Sequence, residues 1–288
     1  MADSNRTVLV TGATGNQGGS VAHELLSRGG YRVRAMTRKP DGEKARALKD
    51  RGAEIVAGDL NDEASLRKAM QGAWGVFAVQ NTWEAGVEGE EEQGKRQAKV
   101  ARDAGVQHYV YTSVASADRK TGIPHFENKW RIEETVRGLG FPSHVILRPV
   151  FFMENLLGPW FKAAIDQGQL AMAVKPETRL QMIAVEDIGK YGRWAFDKQE
   201  TLKGREIDIA GDELTMPETA SLLSRASGHP VAFAPPPIEA VRQGSADFAA
   251  MLEWFDRVGY DADIAANARE SGIRPTTFAE WASRQKWS

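Results

Sequence analysis

The chain has no cysteine. That single absence excludes disulfide staples, thiolate zinc sites, iron–sulfur clusters and a cysteine nucleophile. It also lacks a charge excess of either sign, with 37 Lys plus Arg against 39 Asp plus Glu and a formal net charge of −2. Sequence-independent nucleic-acid binding needs a clustered cationic surplus, so no direct nucleic-acid partner is expected. No long apolar run is present: the most apolar stretch, residues 144–160, is interrupted by Arg148, Pro149 and Glu154. A membrane span requires about 20 apolar residues, so no membrane partner is expected either. Residues 1–6 carry no apolar signal region, and a cytoplasmic location is the resulting expectation.

What remains is an ordinary globular composition, 42% hydrophobic and 26% charged over 288 residues. At about 100–200 residues per domain, this is one large domain or two smaller ones. Its chemistry must come from oxygen and nitrogen groups or from a bound cofactor.

Up to about residue 148 the chain alternates apolar, β-branched runs with amphipathic stretches, the pattern of βαβ units around a parallel sheet. Strands are predicted at 7–11, 32–37, 54–57, 75–79, 108–112 and 144–147, and helices at 17–28, 43–51, 63–70, 88–104 and 126–139. Runs such as Val8-Leu9-Val10 and Val145-Ile146-Leu147 are apolar throughout, as strands covered on both faces are. Beyond Pro149 the regularity breaks. A helix near 154–166, strands at 180–185 and 206–209, helices from Asp187 and Pro217, the breaker Pro235-Pro236-Pro237 and aromatic-rich helical sequence at 246–260 follow.

The fold class is therefore α/β: a Rossmann-type doubly wound parallel sheet with a smaller C-terminal α/β lobe. The expected strand order is 3-2-1-4-5-6 with an added edge strand. Residues 1–150 are expected to form the dinucleotide-binding domain, and 151–288 a smaller substrate or partner lobe interleaved with the sheet. The acidic run at 88–92 reads as a solvated helix start. Asp187 reads as a helix cap, and Trp254, Phe255 and Tyr260 as packing.

Directly after the first strand stands Thr11-Gly12-Ala13-Thr14-Gly15-Asn16-Gln17-Gly18-Gly19. Gly12 permits a tight strand-to-helix turn, Gly15 lets the backbone approach a pyrophosphate, and Gly18 lets helix and strand pack closely. The helix N-terminus offers N–H groups to phosphates. No Gly-Lys-Ser/Thr closes the motif, so a nucleoside-triphosphate loop is excluded. A carboxylate at the end of the second strand would select NAD; the chain has Thr37-Arg38-Lys39 there instead. Two cations suit the 2′-phosphate of NADP(H), and a solvated basic turn is the rival reading. Asp59 stands where a carboxylate could meet the adenine amino group, or, like Asn61, cap the next helix.

At this point the chain resembles the atypical short-chain dehydrogenases of the NmrA-like, HSCARG-like group. The resemblance rests on residues 11–21, Asn81-Thr82-Trp83-Glu84, His125-Phe126-Glu127-Asn128-Lys129 and residues 147–155, ending Val150-Phe151-Phe152-Met153-Glu154-Asn155. It implies NADP(H) binding and a fold with a small C-terminal lobe, in a family that holds both reductases and NADPH/NADP sensors that regulate a partner. By motif position, Gly12, Gly15, Asn16, Gln17 and Gly18 would hold the pyrophosphate, and Arg38 and Lys39 the adenosine phosphate. Asn81, Lys129, Val150, Phe152 and Asn155 would line the nicotinamide end, and Thr14, Asp59 and Leu60 complete the cofactor set. The resemblance makes a homodimer plausible.

Ordinary short-chain dehydrogenases use a serine after the fifth strand and a Tyr-x-x-x-Lys on the next helix. Here Ser113 and Lys129 are kept, and the tyrosine position is His125. Residues four apart share a helical face, so His125 and Lys129 can both face the strand ends. A charged His125 could donate a proton, although Lys129 opposes that charge; its rival roles are a helix start or a pocket wall. Trp83, Phe151, Phe152, Met153 and Trp160 would wall a planar apolar substrate or serve as core. Two readings stand: a reductase of a small apolar carbonyl or quinone, or a sensor without turnover that regulates a protein partner.

Overall fold

The computed structural model describes residues 6–287; segment 1–5, on which most of the leader reading rests, and residue 288 lie outside the described residues. Two compact units result, each drawn from several stretches of chain. Among the described residues, the first comprises 6–117, 125–148 and 188–207; the second comprises 118–124, 149–187 and 208–287.

The first unit is built on β1 (Thr7–Val10), α1 (Asn16–Arg28), β2 (Arg32–Thr37), α2 (Glu43–Asp50), β3 (Glu54–Ala57), α3 (Glu63–Met70), β4 (Gly75–Ala78), α4 (Thr82–Asp103), β5 (His108–Thr112), α5 (Pro124–Gly138) and β6 (Ser143–Pro149). The sheet runs 3-2-1-4-5-6, with the strand Glu206–Ile209 added beyond β6, as the sequence predicts. β1 pairs in parallel with β2 at Val8↔Val33 and with β4 at Val8↔Gly75. Val8, Leu9, Val10, Val76, Phe77 and Ala78 are all fully buried, which is why these strands show no alternation of apolar and polar residues.

Helix boundaries differ from expectation where another side chain within reach caps the helix. The α4 helix starts at Thr82 because the Asn81 side chain accepts from the Trp83 backbone N–H at 3.1 Å. Gly86, at φ 75° and ψ 169°, then kinks it, so the expected start at 88 belongs to the second helical piece. At α3 the cap is Asp62, which accepts from the Ala64 and Ser65 backbone N–H groups at 2.9 and 3.3 Å. Asp59 instead accepts from the Asn61 N–H at 2.8 Å, so neither of the two residues proposed as caps fills that role.

In the second unit, the helix expected near 154–166 is a 3₁₀ turn, Met153–Leu157, and a short helix, Lys162–Asp166, separated at Gly158-Pro159. Arg179–Ile183 pairs antiparallel with Asp212–Thr215 and parallel with Phe151–Phe152, a small sheet whose two partner strands were not anticipated. Asp187 lies inside the first turn of its helix rather than before it. Its carboxylate accepts from the Thr276 backbone N–H and hydroxyl at 2.7 and 3.0 Å. Trp254, Phe255 and Tyr260 pack on one another with centroids 5.1–5.9 Å apart, as expected. Among the described residues, no helix is long and apolar enough to cross a membrane.

Two positions in the first unit fix the sheet and its first turn. A Cβ on Gly18 would lie 2.3 Å from the Thr11 carbonyl oxygen, so α1 and β1 touch backbone to backbone. His108 sits fully buried on β5, its Nε2 3.0 Å from the Ala195 carbonyl and its Nδ1 2.9 Å from Ser143 Oγ. A carbonyl only accepts, so Nε2 carries the proton and Nδ1 accepts from the hydroxyl; the ring is held neutral. Burial pushes its pKa down from 6.5 to about 4.

We predict that Gly18→Ala lowers stability by about 2 kcal/mol or more, whereas Gly138→Ala, where an added Cβ meets nothing within 4 Å, changes it by less than about 1 kcal/mol. Urea unfolding of both variants checks this. The unfolded chain takes up a proton on His108 near pH 6.5, while the folded chain resists until about 4. Stability attributable to this ring is therefore complete above pH 6.5 and lost as pH falls through that window, by about 2 kcal/mol between pH 7 and 5. Unfolding of His108→Gln at the two pH values should show that much less pH dependence than the parent.

Candidate functional site

The site is built from the carboxyl ends of the parallel strands in the first unit, where such sheets leave their crevice. The chain turns out of β1 at Gly12, whose φ of +57° and whose approach to Val79, 2.7 Å from an added Cβ, both demand glycine. Thr11 ties the turn down: its hydroxyl donates to the Phe77 carbonyl at 3.2 Å and accepts from Val79 N–H and Gln97 Nε2, each at 3.1 Å. The α1 helix begins after Gly15, and no side chain caps it. Its first-turn N–H groups, at Asn16, Gln17 and Gly18, thus present the positive end of the helix without a resident oxygen from a capping side chain. Gln17 is oriented by Thr112, whose hydroxyl donates to its side-chain carbonyl at 2.6 Å. Thr14 Oγ1 lies 3.5 Å from Thr37 Oγ1, bringing the glycine turn to the end of β2.

Arg38 and Lys39 follow β2 and are exposed. Arg38 forms an ion pair with Glu84 of α4, so the cation expected for an adenosine phosphate already holds an anion. Asp59 and Leu60 follow β3; the Asp59 carboxylate is engaged in its own turn, and the Leu60 carbonyl accepts from Arg96 at 3.0 Å. Asn81 acts as the α4 cap described above.

Ser113 stands at the end of β5, 4% exposed, its backbone N–H donating to the Leu147 carbonyl at 2.8 Å. Its hydroxyl is buried and makes no hydrogen bond, so none joins it to His125 or Lys129. A buried hydroxyl without a partner is costly and marks a place where a ligand atom could satisfy it. His125 is 7% exposed, its ring 5.4 Å from Trp83 and edge-on to Phe126 at 4.8 Å. Tyr111 does not replace the missing tyrosine: its hydroxyl is buried, and burial pushes its pKa well above 10.

Lys129 is 12% exposed at its side chain and donates to Glu90 at 2.6 Å. The acidic run expected to be solvated is thus not uniform, since Glu90 is wholly buried. The Thr82 hydroxyl and, at 3.0 Å, Asn128 Nδ2 also donate to it. Burial works to raise the Glu90 pKa, but the Lys129 charge and these hydrogen bonds outweigh it and hold the carboxyl below its usual value. Charge patterning alone hid Glu90 among its neighbours. The available signal was its apolar-face spacing: Glu90, Gly94, Gln97 and Ala101 line the buried side of α4.

The remaining candidates belong to the second unit. Val150 is buried and its N–H donates to the Ile209 carbonyl at 3.2 Å; Phe152 pairs with Ile183 in the small sheet; Asn155 is exposed on the 3₁₀ turn. That turn is held by Glu154, whose carboxylate accepts from Val185 N–H at 2.9 Å and Trp281 Nε1 at 3.0 Å, and whose pKa burial raises. Of the aromatic wall, Phe151 and Met153 are core, Trp160 is exposed and stacks on Phe248 at 5.7 Å, and Trp83 is 59% exposed.

Comparison with known proteins places this architecture. The NmrA-like family domain-containing oxidoreductase FrzB of Cladobotryum sp is 38% identical over 160 residues, 52% of this chain and 48% of that protein. The chain thus spans about half the length of that relative. The NADPH-dependent quinone oxidoreductase QOR2 of Escherichia coli, solved with NADPH, superposes with a TM-score of 0.80 at 24% identity, over 96% of this chain and 98% of that one. NmrA, a negative transcriptional regulator solved with NAD, does so with a TM-score of 0.80 at 20% identity, over 98% and 95%. These likenesses under 25% identity establish the fold. The NmrA-like family pattern itself matches residues 4–282, and with nearly the whole chain covered, the protein belongs to the NmrA-like family.

Proposed function

We propose that the first unit binds NADP(H) and that the protein is an NADPH-dependent reductase of a small apolar carbonyl or quinone-type acceptor. The observation that carries the cofactor assignment is the uncapped start of α1 behind a turn where an added Cβ at Gly12 or Gly18 would clash. Phosphate oxygens fit there because the turn supplies N–H donors and close backbone approach together. Support from relatives is consistent: QOR2 was solved with NADPH and FrzB is named an oxidoreductase.

When bound, the nicotinamide supplies hydride. The chain's own residues then have separate tasks. Gly15, Asn16, Gln17 and Gly18 hold the pyrophosphate, and Arg38 and Lys39 take the 2′-phosphate, Arg38 releasing Glu84. Asp59 and Leu60 border the adenine, and Asn81 lies toward the nicotinamide. Lys129 donates to the nicotinamide-side ribose. The buried Ser113 hydroxyl, which lacks a partner, donates to a carbonyl oxygen of the acceptor and orients it. His125 or water supplies the proton. Residues 1–150 carry the cofactor role in this reading, and 151–288 the substrate role.

A second reading is a sensor without turnover, favoured by the His125 position, where the ring packs on Trp83 and Phe126 instead of presenting a tyrosine hydroxyl. It requires a partner affinity that differs between NADP, NADPH and empty states. Identical partner binding in all three eliminates it.

Steady-state NADPH oxidation across a quinone and ketone panel tests the reductase. Ser113→Ala should lower kcat by about tenfold with little change in NADPH affinity, the cost of one oriented hydrogen bond. Turnover indifferent to both Ser113→Ala and Lys129→Ala overturns the assigned roles. Arg38→Asp should weaken NADP by about tenfold or more and NAD by much less, because only NADP carries the charge that the guanidinium meets. Equal losses in titrations of the two cofactors overturn the 2′-phosphate assignment.

A further inference from the structure

A buried carboxylate is costly unless it is paired and its remaining oxygens are satisfied. Glu90 meets that demand with donors from two helices: the Thr82 hydroxyl at the start of α4, Asn128 Nδ2 of α5 at 3.0 Å and Lys129 Nζ of α5 at 2.6 Å. Asn128 also donates to the Val87 carbonyl at 2.7 Å, so α4 and α5 are clamped at this level independently of the ion pair. A second clamp by charge is not needed to join the helices. What the pair adds is control of Lys129. A lysine stem samples many rotamers, and an ammonium has three N–H groups. A wholly buried anion held from both helices selects the rotamer that brings Nζ to it and takes one of the three donors. The Lys129 side chain keeps 12% exposure, and two of its three ammonium N–H groups are left for a ligand once Glu90 has taken one.

We propose that Glu90 is the positioning residue of the cofactor site, fixing the Lys129 ammonium where the nicotinamide-side ribose hydroxyls are read. The inference rests on the reading of Lys129 as a ribose ligand. Glu90 touches no cofactor atom itself; it acts through Lys129, with Thr82 and Asn128 holding it in turn.

The test compares NADPH with adenosine 2′,5′-bisphosphate, which ends before the nicotinamide ribose, by titration calorimetry on the full chain. Glu90→Gln should weaken NADPH by about tenfold, the loss of one charge-assisted hydrogen-bond partner, and leave the bisphosphate within about twofold. In the Lys129→Met background Glu90→Gln should cause no further loss. Glu90→Asp keeps the charge but withdraws it by one methylene; it should show the same split between ligands, and it serves if the glutamine variant does not fold. Equal weakening of both ligands, an equal loss with and without Lys129, or no loss overturns the role of Glu90. Lys129→Met with unchanged NADPH affinity instead overturns the ribose reading on which the proposal rests, whereas additive losses leave that reading standing.

Discussion

The backbone contact between α1 and β1 governs the rest of the first unit. With Gly18 set against the Thr11 carbonyl, the helix starts close enough to the strand for its N-terminus to face the crevice at the sheet's carboxyl edge. Thr11 passes that constraint on, since its hydroxyl bonds the β4 end at Phe77 and Val79 and the α4 side chain of Gln97. One residue thereby holds the first turn, the central strand pair and the helix that supplies Glu90. Bulk at Gly18 would displace all of these together.

Buried charge is the second organising element. Glu133 and Arg148 form a bidentate pair at 2.9 and 2.6 Å, and Arg148 reaches Glu206 at 2.5 Å, fastening α5, β6 and the added edge strand. Both partners of the Glu133 pair are almost wholly buried, and such geometry fixes register more surely than it adds net stability. The Glu90 pair joins α4 to α5, its lysine side chain 12% exposed. The same helix α5 therefore takes part in two buried ion pairs, at Glu133 and at Lys129.

How much of this was legible in the sequence depends on the range of the interaction involved. The sheet order and its six main strands were readable because burial on both faces leaves uninterrupted apolar runs such as Val8-Leu9-Val10. The glycine turn was readable because steric exclusion acts within a few residues. Helix starts were less so: Asn81 and Asp62 cap where the acidic run and Asp59 or Asn61 had seemed the better signals, since several side chains within reach can serve. The pairing of Phe151–Phe152 with Arg179–Ile183 joins segments whose short length gives no periodicity to read. The buried position of Glu90 was legible in its spacing with Gly94, Gln97 and Ala101, but its partner, 39 residues away, was not. Ser113 and Lys129 were named from motif spacing, but neither the orphaned hydroxyl of one nor the anion held by the other could be.

The ion pair of Arg38 with Glu84 has a consequence for how an anion arrives. In the NADP(H) reading proposed above, a phosphate docking on Arg38 would not neutralise a bare cation; it would exchange for a carboxylate that returns to solvent. Counting Arg38 and Lys39 as two full positive charges therefore overstates the attraction at a distance, because the field that an approaching ligand meets is partly cancelled in advance.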